Sequence, residues 1–335
     1  MSVIVCLSHK EDVDGISSAA LIKSAFKTES VVLVDYANII TSLQKFAESS
    51  SMENRIDKLF ICDLGLSKKN EQKFTEIVGK IISKGSKVTY IDHHDLSRET
   101  ALTLKKIGVV LVHSIDECTS VLIYNKFKKK LKPSAAFFAA AGALTDYMEN
   151  KPIASSIVSR FDKQFLMLEA TVLSYIISSS QHDNEFLLKI VDTLSGMKYP
   201  HEIEGGFSIA KKYAQKVSEA AKKIEESIVK TDNLAYVQGD LELSASTIVN
   251  FVLGSSEKPV AMVYKLKDDI NSYVISIRGS KNCNLHLGRA VNDIASDVGG
   301  SGGGHDRACG AVIPKNKLHE FIQLLNKRIA LAQKE

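Results

Sequence analysis

Residues 88–94 constrain the fold of this chain more than any other stretch of its sequence. The segment begins with β-branched and aromatic residues, which are typical of a buried strand, and ends in Asp92, His93 and His94. In an open α/β sheet, ligands bind just beyond the carboxyl ends of the strands. A strand that stops on these three residues therefore places metal- and proton-binding groups where such a sheet carries out its chemistry.

Five short apolar runs alternate with helical patterns over the first 150 residues. The runs cover residues 3–7, 31–34, 59–62, 88–91 and 109–112, and the helical patterns between them cover residues 17–26, 39–46, 68–83 and 98–105. Near-continuous apolar strands separated by helices indicate a parallel sheet covered on both faces. Two longer helical patterns follow, over residues 120–130 and 134–148, with Pro133 between them.

The rest of the chain divides into a helical stretch and a second α/β region. In residues 208–230, apolar positions recur every three or four residues, which predicts an amphipathic helix. Further patterns predict strands at 235–237, 260–266, 273–277 and 311–313 and helices at 246–253, 285–298 and 315–332. We therefore expect an α/β protein with a parallel-sheet domain over residues 1–150, a helical connector over 151–232 and a smaller α/β domain over 233–335.

Composition and cysteine use are typical of a globular cytoplasmic protein. The chain has 335 residues with a net charge of +4, which permits a polyanionic substrate without requiring one. Its five scattered cysteines lack any C-x-x-C spacing, so we expect reduced core residues. We see no export signal before the first strand, and no apolar run approaches the roughly 20 residues that cross a membrane.

Acidic and imidazole side chains follow one predicted strand after another. They are His9, Asp12 and Asp14 after the first strand, Asp63 after the third, Asp92, His93 and His94 at the fourth, and Asp146 after a helix. So many carboxylates share a desolvated site only when cations neutralise them. Each group alone is also explained as a loop residue or a helix cap, but their joint occurrence favours bound Mn²⁺ or a similar cation.

A glycine cluster lies between the last two predicted helices and contains Gly302, Gly303, Gly304 and His305. Successive glycines can turn their backbone N–H groups towards an anion. A guanidinium such as that of Arg278 matches a phosphate in a bidentate way. We therefore expect these five residues to bind a phosphate or nucleotide end of the substrate, although a flexible turn is the alternative.

A basic run ends the predicted helix at 120–130 and consists of Lys126, Lys128, Lys129, Lys130 and Lys132. Such a run could contact a nucleic-acid backbone. Cations at the end of a helix also favour its dipole, so the sequence leaves both interpretations open.

The motifs resemble those of the DHH phosphoesterase superfamily, which is named for its Asp-His-His motif. The four first-domain motifs match His9/Asp12/Asp14, Asp63, Asp92-His93-His94 and Asp146, and the associated DHHA1 domain is matched by residues 276–280 and 302–307. The resemblance implies two Mn²⁺ or Mg²⁺ ions in a cleft between the domains. It implies that His9, Asp12 and Asp63 hold one ion, and that Asp14, Asp63, His93 and Asp146 hold the other. Asp92 would orient a histidine, and His94 would face the substrate phosphate.

The resemblance also implies a class of reaction. RecJ-type exonucleases and nano-RNases of the superfamily hydrolyse phosphodiester bonds, so we expect single-stranded RNA, single-stranded DNA or short oligonucleotides as substrates. The alternative substrate is a small nucleotide, such as phosphoadenosine phosphate or a cyclic dinucleotide. An inactive scaffold and a tRNA-associated module are less favoured, because every expected ligand is retained. A homodimer and association with replication or repair proteins stay open.

Overall fold

A five-stranded sheet forms where the apolar runs predict strands. The strands are β1 (Ile4–His9), β2 (Ser30–Val34), β3 (Lys58–Cys62), β4 (Lys87–Asp92) and β5 (Val110–His113). They are arranged in the order β2-β1-β3-β4-β5, and every neighbouring pair is parallel. The prediction of a parallel α/β domain is therefore confirmed. The structure, a computed structural model, describes residues 3–49, 56–239, 243–304 and 306–333.

Helices cover both faces of this sheet. They are α1 (Val13–Phe26), α2 (Ile39–Ser49), α3 (Lys68–Ser83), α4 (Arg98–Lys106), α5 (Thr119–Phe127) and α6 (Ala136–Thr145), followed by α7 (Pro152–Val158), α8 (Lys163–Ser179) and α9 (Asn184–Ser195). One buried cluster joins the sheet to α1, α5, α6, α8 and α9, and another joins it to α2 and α3. Strands with both faces buried need near-continuous apolar sequence, which is why the runs were recognisable.

The first compact unit comprises Met1–Tyr213, and the second comprises Ala214–Glu335. Helices α7, α8 and α9 contribute buried residues such as Ile157, Leu173 and Ile190 to the core of the first unit. The helix α10 (Gly206–Ser227) contains the boundary between the units. Much of the stretch that the sequence suggests as a connector thus packs within the first unit.

A mixed sheet of six strands forms the second unit. Its strands are β6 (Val229–Lys230), β7 (Leu234–Gln238), β8 (Val260–Lys267), β9 (Ser272–Gly279), β10 (Ser301–Gly304) and β11 (Ala308–Pro314), in the order β10-β11-β9-β8-β7-β6. Among the described strands of this sheet, β7 and β8 pair in parallel, and the other neighbouring pairs are antiparallel. The helix α11 (Ala245–Ser256) packs on one face, and α12 (Leu287–Asp297) and α13 (Leu318–Ala332) pack on the other.

The glycine cluster, which the sequence leaves as an anion-binding segment or a flexible turn, forms the edge strand β10. The sequence pattern predicts no strand there, and the missing side chains let this segment pair closely with β11. A Cβ on Gly300 would lie 2.4 Å from the carbonyl oxygen of Val312, and a Cβ on Gly304 would lie 2.7 Å from that of Ala308. Gly304 also adopts φ = +139°, a conformation that side chains rarely allow.

All five cysteines are buried and carry free thiols, as their scattered positions predict. None of the described helices combines the length and the apolarity that crossing a membrane requires.

Candidate metal and phosphate site

The carboxyl ends of three strands bring predicted site residues to one edge of the parallel sheet. His9 is the last residue of β1, Asp63 directly follows β3, and Asp92 is the last residue of β4. In a sheet of this strand order, the winding reverses between β1 and β3, and ligands bind in the crevice that opens there. The polar groups thus lie where a sheet of this topology binds ligands.

The turn after β1 holds His9 against Asp12. Asp12 is the N-cap of α1, and its Oδ1 accepts the N–H of Gly15 at 2.8 Å. Its other oxygen, Oδ2, lies 3.4 Å from Nε2 of His9, whose side chain is buried. A Cβ on Gly15 would lie 2.5 Å from the carbonyl oxygen of His9. The turn therefore requires glycine at position 15.

Asp14 is fully buried and caps a helix other than its own. Its Oδ2 accepts the N–H of Thr119 at 2.8 Å, and its Oδ1 accepts the N–H of Ser120 at 2.9 Å as well as the Ser120 hydroxyl. These are the first two residues of α5, whose N-cap residue, Cys118, makes no side-chain capping bond. A helix N-terminus offers free N–H groups and the positive end of the dipole, so it stabilises the Asp14 carboxylate.

Asp63, His93 and Asp146 form the centre of the cluster. Nε2 of His93 lies 3.5 Å from Oδ1 of Asp63 and 3.5 Å from Oδ2 of Asp146. Asp63 adopts φ = +57°, its N–H donates to the carbonyl of Ile91, and its Oδ1 accepts the Thr119 hydroxyl at 3.0 Å. A left-handed aspartate costs on the order of 1 kcal/mol. These contacts hold Asp63 in that conformation.

Asp92 lies behind His94 and fixes its position. Oδ1 of Asp92 accepts the backbone N–H of His94 at 2.7 Å and lies 3.1 Å from its ring Nδ1. His113 donates from Nε2 to the carbonyl of His94 at 2.6 Å. Burial acts to raise the pKa of Asp92, but the hydrogen bond and the charge of His94 outweigh it and lower the pKa. Burial also opposes charging of His94, yet its bond to Asp92 raises its pKa.

The central carboxylates repel one another in a buried place. Burial raises the pKa of Asp63 well above its usual range, and the charges of Asp14 and Asp12 add to the effect. Burial raises the pKa of Asp146 in the same direction, again with Asp14 and Asp12 contributing. A divalent cation would remove this repulsion, since it favours the ionised form of every carboxylate around it.

The donor atoms also fit a divalent cation by their spacing. Ligand atoms of Asp63, His93 and His94 lie within 4.8 Å of one another, and so do those of Asp14, Cys118 and Asp146. The nitrogen–oxygen separations of His9 from Asp12 and of His93 from Asp63 and Asp146, 3.4 to 3.5 Å, are too long for strong hydrogen bonds. They match the separation of about 3–3.5 Å between neighbouring ligands on a cation with bonds near 2.1 Å. Among these donors, the carboxylate oxygens suit Mn²⁺ or Mg²⁺.

Two glycines allow other elements to approach the site closely. A Cβ on Gly142, in α6, would lie 2.3 Å from Oγ of Ser120 and 2.6 Å from Oδ1 of Asp14. A Cβ on Gly65, after β3, would lie 2.6 Å from Cγ of His94. Neither position has room for a side chain, so the close packing of the site requires glycine at both.

Four residues of this site were missed by the sequence analysis: Cys118, Thr119, Ser120 and Tyr36. Thr119 and Ser120 stand before a helical pattern, which indicates an ordinary helix start and gives no sign of Asp14. Cys118 was expected only as a core cysteine. Tyr36 follows β2, and its ring stacks on His9 with centroids 4.2 Å apart. No local pattern marks that contact, because it joins the ends of two different strands.

The predicted phosphate-binding residues lie in the second unit. Arg278, in β9, donates from Nη2 to Oγ of Ser246 at 2.7 Å. Arg278 is paired with Ala308 in β11, and Gly304 is paired with Cys309. Arg278 and the glycine strand therefore lie at the same end of this sheet. His305 lies outside the described residues.

The basic run lies away from the acidic cluster within the first unit. Lys128–Lys130 form a short 3-10 helix after α5. Nζ of Lys130 lies 5.1 Å from the centre of the Phe26 ring, and Nζ of Lys58 lies 5.9 Å from the same ring. Because Lys58 begins β3 and Asp63 follows its other end, the run is at the amino edge of the sheet.

The fold is that of an α/β protein with a parallel-sheet domain followed by a mixed-sheet domain. Residues 2–145 match the model of the DHH family, N-terminal domain, and residues 234–331 match that of the DHHA1 domain. The chain belongs to the DHH/DHHA1 phosphoesterase superfamily.

Known proteins of this type include nucleases and a dinucleotide phosphodiesterase. Oligoribonuclease NrnB of Bacillus subtilis is 35% identical over 100 residues, which are 30% of this chain and 23% of NrnB. The pGpG-specific phosphodiesterase PggH from Vibrio cholerae has a TM-score of 0.60 at 11% identity, covering 98% of this chain and 99% of that chain. RecJ from Thermus thermophilus in complex with Mn²⁺ has a TM-score of 0.63 at 13% identity, covering 98% of this chain and 52% of that chain.

The matches to the curated relatives span less than half of each relative's length. The match to NrnB spans 23% of its length, and the match to an uncharacterized protein of Methanocaldococcus jannaschii, 27% identical over 183 residues (53% of this chain), spans 39% of that protein. The similarity to the solved structures of PggH and RecJ shows that this chain shares their fold.

Proposed function

We propose that this chain is a divalent-metal-dependent phosphodiesterase that cleaves single-stranded nucleic acid or short oligonucleotides with water. The observation that carries the proposal is the convergence of Asp63, His93 and Asp146, with Asp14 adjoining, at the crevice between β1 and β3. An acidic cluster repels a phosphodiester unless cations lie between them. The names of NrnB, an oligoribonuclease, and of PggH, a phosphodiesterase, support the same reaction class.

The proposed ligand sets share one carboxylate. They are His9, Asp12 and Asp63 for one cation, and Asp14, Asp63, His93 and Asp146 for the other. Bound there, two divalent cations supply a water of lowered pKa and positive charge for the phosphoryl oxygens. Thr119 supports the shared ligand by donating to Oδ1 of Asp63.

His94 is the proposed contact to the substrate phosphate. Asp92 holds ring Nδ1, so Nε2 is the atom that can hydrogen-bond a phosphoryl oxygen or the departing alkoxide. The raised pKa of His94, which its bond to Asp92 produces against the effect of burial, favours a protonated ring that can donate in this way.

The second unit is proposed to hold a further phosphate or nucleotide of the substrate. The residues are Arg278, Gly302, Gly303, Gly304 and His305. We expect Arg278→Ala to raise KM with little change in kcat, because it removes a binding contact remote from the reacting bond. A loss confined to kcat would contradict this assignment.

Hydrolysis of single-stranded oligonucleotides labelled at the 5′ or the 3′ end tests the proposal directly. We expect products only when Mn²⁺ or Mg²⁺ is added, and the two labels report the direction of cleavage. Asp63→Ala should remove more activity than Asp12→Ala, because Asp63 is proposed to serve both cations. A wild-type chain without metal-stimulated hydrolysis, or an Asp63→Ala variant with near-normal turnover, would contradict the proposal.

A small dinucleotide or phosphoadenosine phosphate is the second candidate substrate. It is supported by the match to PggH over 99% of that chain, and by the position of the basic run away from the cluster. Salt separates the candidates, since each phosphate contact adds to the slope of affinity against salt concentration. A steep loss of oligonucleotide affinity between about 50 and 200 mM salt would favour a long strand, whereas a shallow loss would favour the small nucleotide.

A further inference from the structure

Tyr36 contacts two histidines of the site at once. Its ring stacks on the ring of His9, with centroids 4.2 Å apart and an interplanar angle of 26°. Its hydroxyl lies 3.1 Å from Nε2 of His94, and the two rings meet edge to face at 5.7 Å. His9 belongs to one proposed ligand set, and His94 is the proposed phosphate contact. Tyr36 therefore joins these two parts of the site through one ring contact and one hydrogen-bond contact.

The turn that carries Tyr36 is held by contacts of Asp35 and Lys10. Oδ1 of Asp35 accepts the backbone N–H of Asn38 at 3.0 Å and its side-chain amide at 2.7 Å. Oδ2 of Asp35 lies 3.6 Å from Nζ of Lys10, and the backbone N–H of Lys10 donates to the carbonyl of Val34. The segment after β2 is thus tied to the segment after β1, and Tyr36 is held over His9.

The hydrogen bonds of His94 leave one ring atom for Tyr36. The Asp92 carboxylate can only accept, so ring Nδ1 of His94 must be the donor of their 3.1 Å contact. Nε2 is then open to a second partner, and the Tyr36 hydroxyl lies 3.1 Å from it.

The ring of Tyr36 covers the His9 side chain and is itself partly exposed to solvent. His9 is 2% exposed, whereas Tyr36 is 39% exposed. Stacking therefore fixes the plane of the His9 imidazole, whose Nε2 lies 3.4 Å from Oδ2 of Asp12. Loss of the ring would free that imidazole to rotate away from Asp12.

We propose that Tyr36 is a positioning residue with two separable effects: its hydroxyl sets the position of His94, and its ring sets that of His9. The inference rests on the proposed function for His94 and on the proposed ligand role for His9. The hydroxyl acts on the reaction step, because it holds the His94 ring in one orientation until Nε2 exchanges this contact for the phosphate. The ring acts on cation binding, because a ligand held in plane binds without first being ordered.

Two substitutions separate the effects, and a third is the control. Tyr36→Phe keeps the ring and removes the hydroxyl, and we expect a roughly tenfold lower kcat with KM and Mn²⁺ affinity within twofold of wild type. Tyr36→Leu also removes the stack, and we expect a further loss of Mn²⁺ affinity of about fivefold, measured by calorimetric titration of the metal alone. Tyr124→Phe removes a hydroxyl that accepts from Arg160 at 3.3 Å, and we expect no change in either quantity.

Distinct outcomes test the inference and the proposed function separately. If Tyr36→Phe retains the wild-type kcat, or if Tyr36→Leu binds Mn²⁺ as tightly as Tyr36→Phe, the inference is overturned. An equal loss of kcat and of Mn²⁺ affinity in both Tyr36 variants, accompanied by a lowered melting temperature, would overturn the inference as well. If the wild type binds Mn²⁺ but hydrolyses no phosphodiester, the proposed function fails. The metal titration of Tyr36→Leu then still decides the role of the ring.

Discussion

Asp14 and Thr119 lie 105 residues apart in the chain and meet in a hydrogen bond of 2.8 Å between the Asp14 carboxylate and the Thr119 backbone N–H. The contact gives Asp14 a structural role that is independent of any bound cation. Asp146, by contrast, lies with Oδ2 3.5 Å from Nε2 of His93. Substitution by asparagine should therefore change the unfolding free energy differently at Asp14 and at Asp146.

We expect Asp14→Asn to destabilise the metal-free protein by about 1–3 kcal/mol, because one carboxylate oxygen that accepts an α5 N–H is replaced by an amide that cannot. Asp146→Asn should leave the metal-free protein equally or more stable, because it removes the cost of burying a charge and the repulsion from Asp14 and Asp12, which together raise the pKa of Asp146. Urea unfolding with and without a chelator measures the unfolding free energy of both variants. Mn²⁺ should stabilise the wild type more than either variant, and equal metal-free losses in the two variants would refute the distinction.

Gly142→Ala should weaken both the fold and the site. The new Cβ would lie 2.3 Å from Oγ of Ser120 and 2.6 Å from Oδ1 of Asp14, so α6 or the Asp14 cap must move. We expect a loss of about 1–3 kcal/mol in unfolding free energy and weaker Mn²⁺ binding. Gly79→Ala is the matched control, since its Cβ would meet only Ile107 Cδ1, at 3.9 Å, and should stabilise α3 by about 0.5–1 kcal/mol. An unperturbed Gly142→Ala variant would contradict the packing described for α6.

Glu71 makes the stability of the first unit depend on pH. Its buried carboxylate accepts the hydroxyls of Ser97 and Thr100 and so ties α3 to the start of α4. Burial acts to raise the pKa of Glu71, but the hydrogen bonds from Ser97 and Thr100 outweigh it and lower the pKa. A lowered carboxyl pKa stabilises the fold above the unfolded pKa, near 4.5, and this stability is lost as the pH falls through the folded pKa.

The difference in melting temperature between the wild type and Glu71→Gln tests this. We expect it to be largest near neutral pH, where the charge-assisted bonds contribute about 1.5–3 kcal/mol, and to shrink below about pH 4.5. Glu76→Gln, an exposed position of the same helix, should show little difference at any pH. A Glu71→Gln difference that is constant with pH would exclude the carboxylate as its source.

Tyr147 occupies a position where helices usually place glycine. It follows Asp146 at the end of α6 with φ = +58°, and the N–H of Met148 donates to the carbonyl of Ala143. Tyr147→Gly should raise the melting temperature, since relief of a left-handed bulky residue is worth about 1 kcal/mol. Tyr147→Ala keeps a Cβ and should bring little of this gain. Equal melting temperatures for the two variants would argue against strain at this residue.

The sequence predicted β1, β3 and β4 well because most of their residues are buried, which requires near-continuous apolar sequence. The ends of those strands also predicted which elements carry His9, Asp63 and Asp92. The capping of α5 by Asp14 was not predictable, because the Thr119-Ser120 pair looks the same whether its N–H groups meet a distant carboxylate or water. The strand β10 was missed because four residues of serine and glycine have no apolar alternation, and its pairing with β11 depends on close approach alone.

The arrangement β2-β1-β3 has a consequence for how the protein is made. Because β1 pairs with β3 and Asp146 follows α6, a growing polypeptide completes the proposed set of His9, Asp12 and Asp63 more than 80 residues before the set that needs Asp146. A cation held by the second set would therefore stabilise this unit only after α6 has been made.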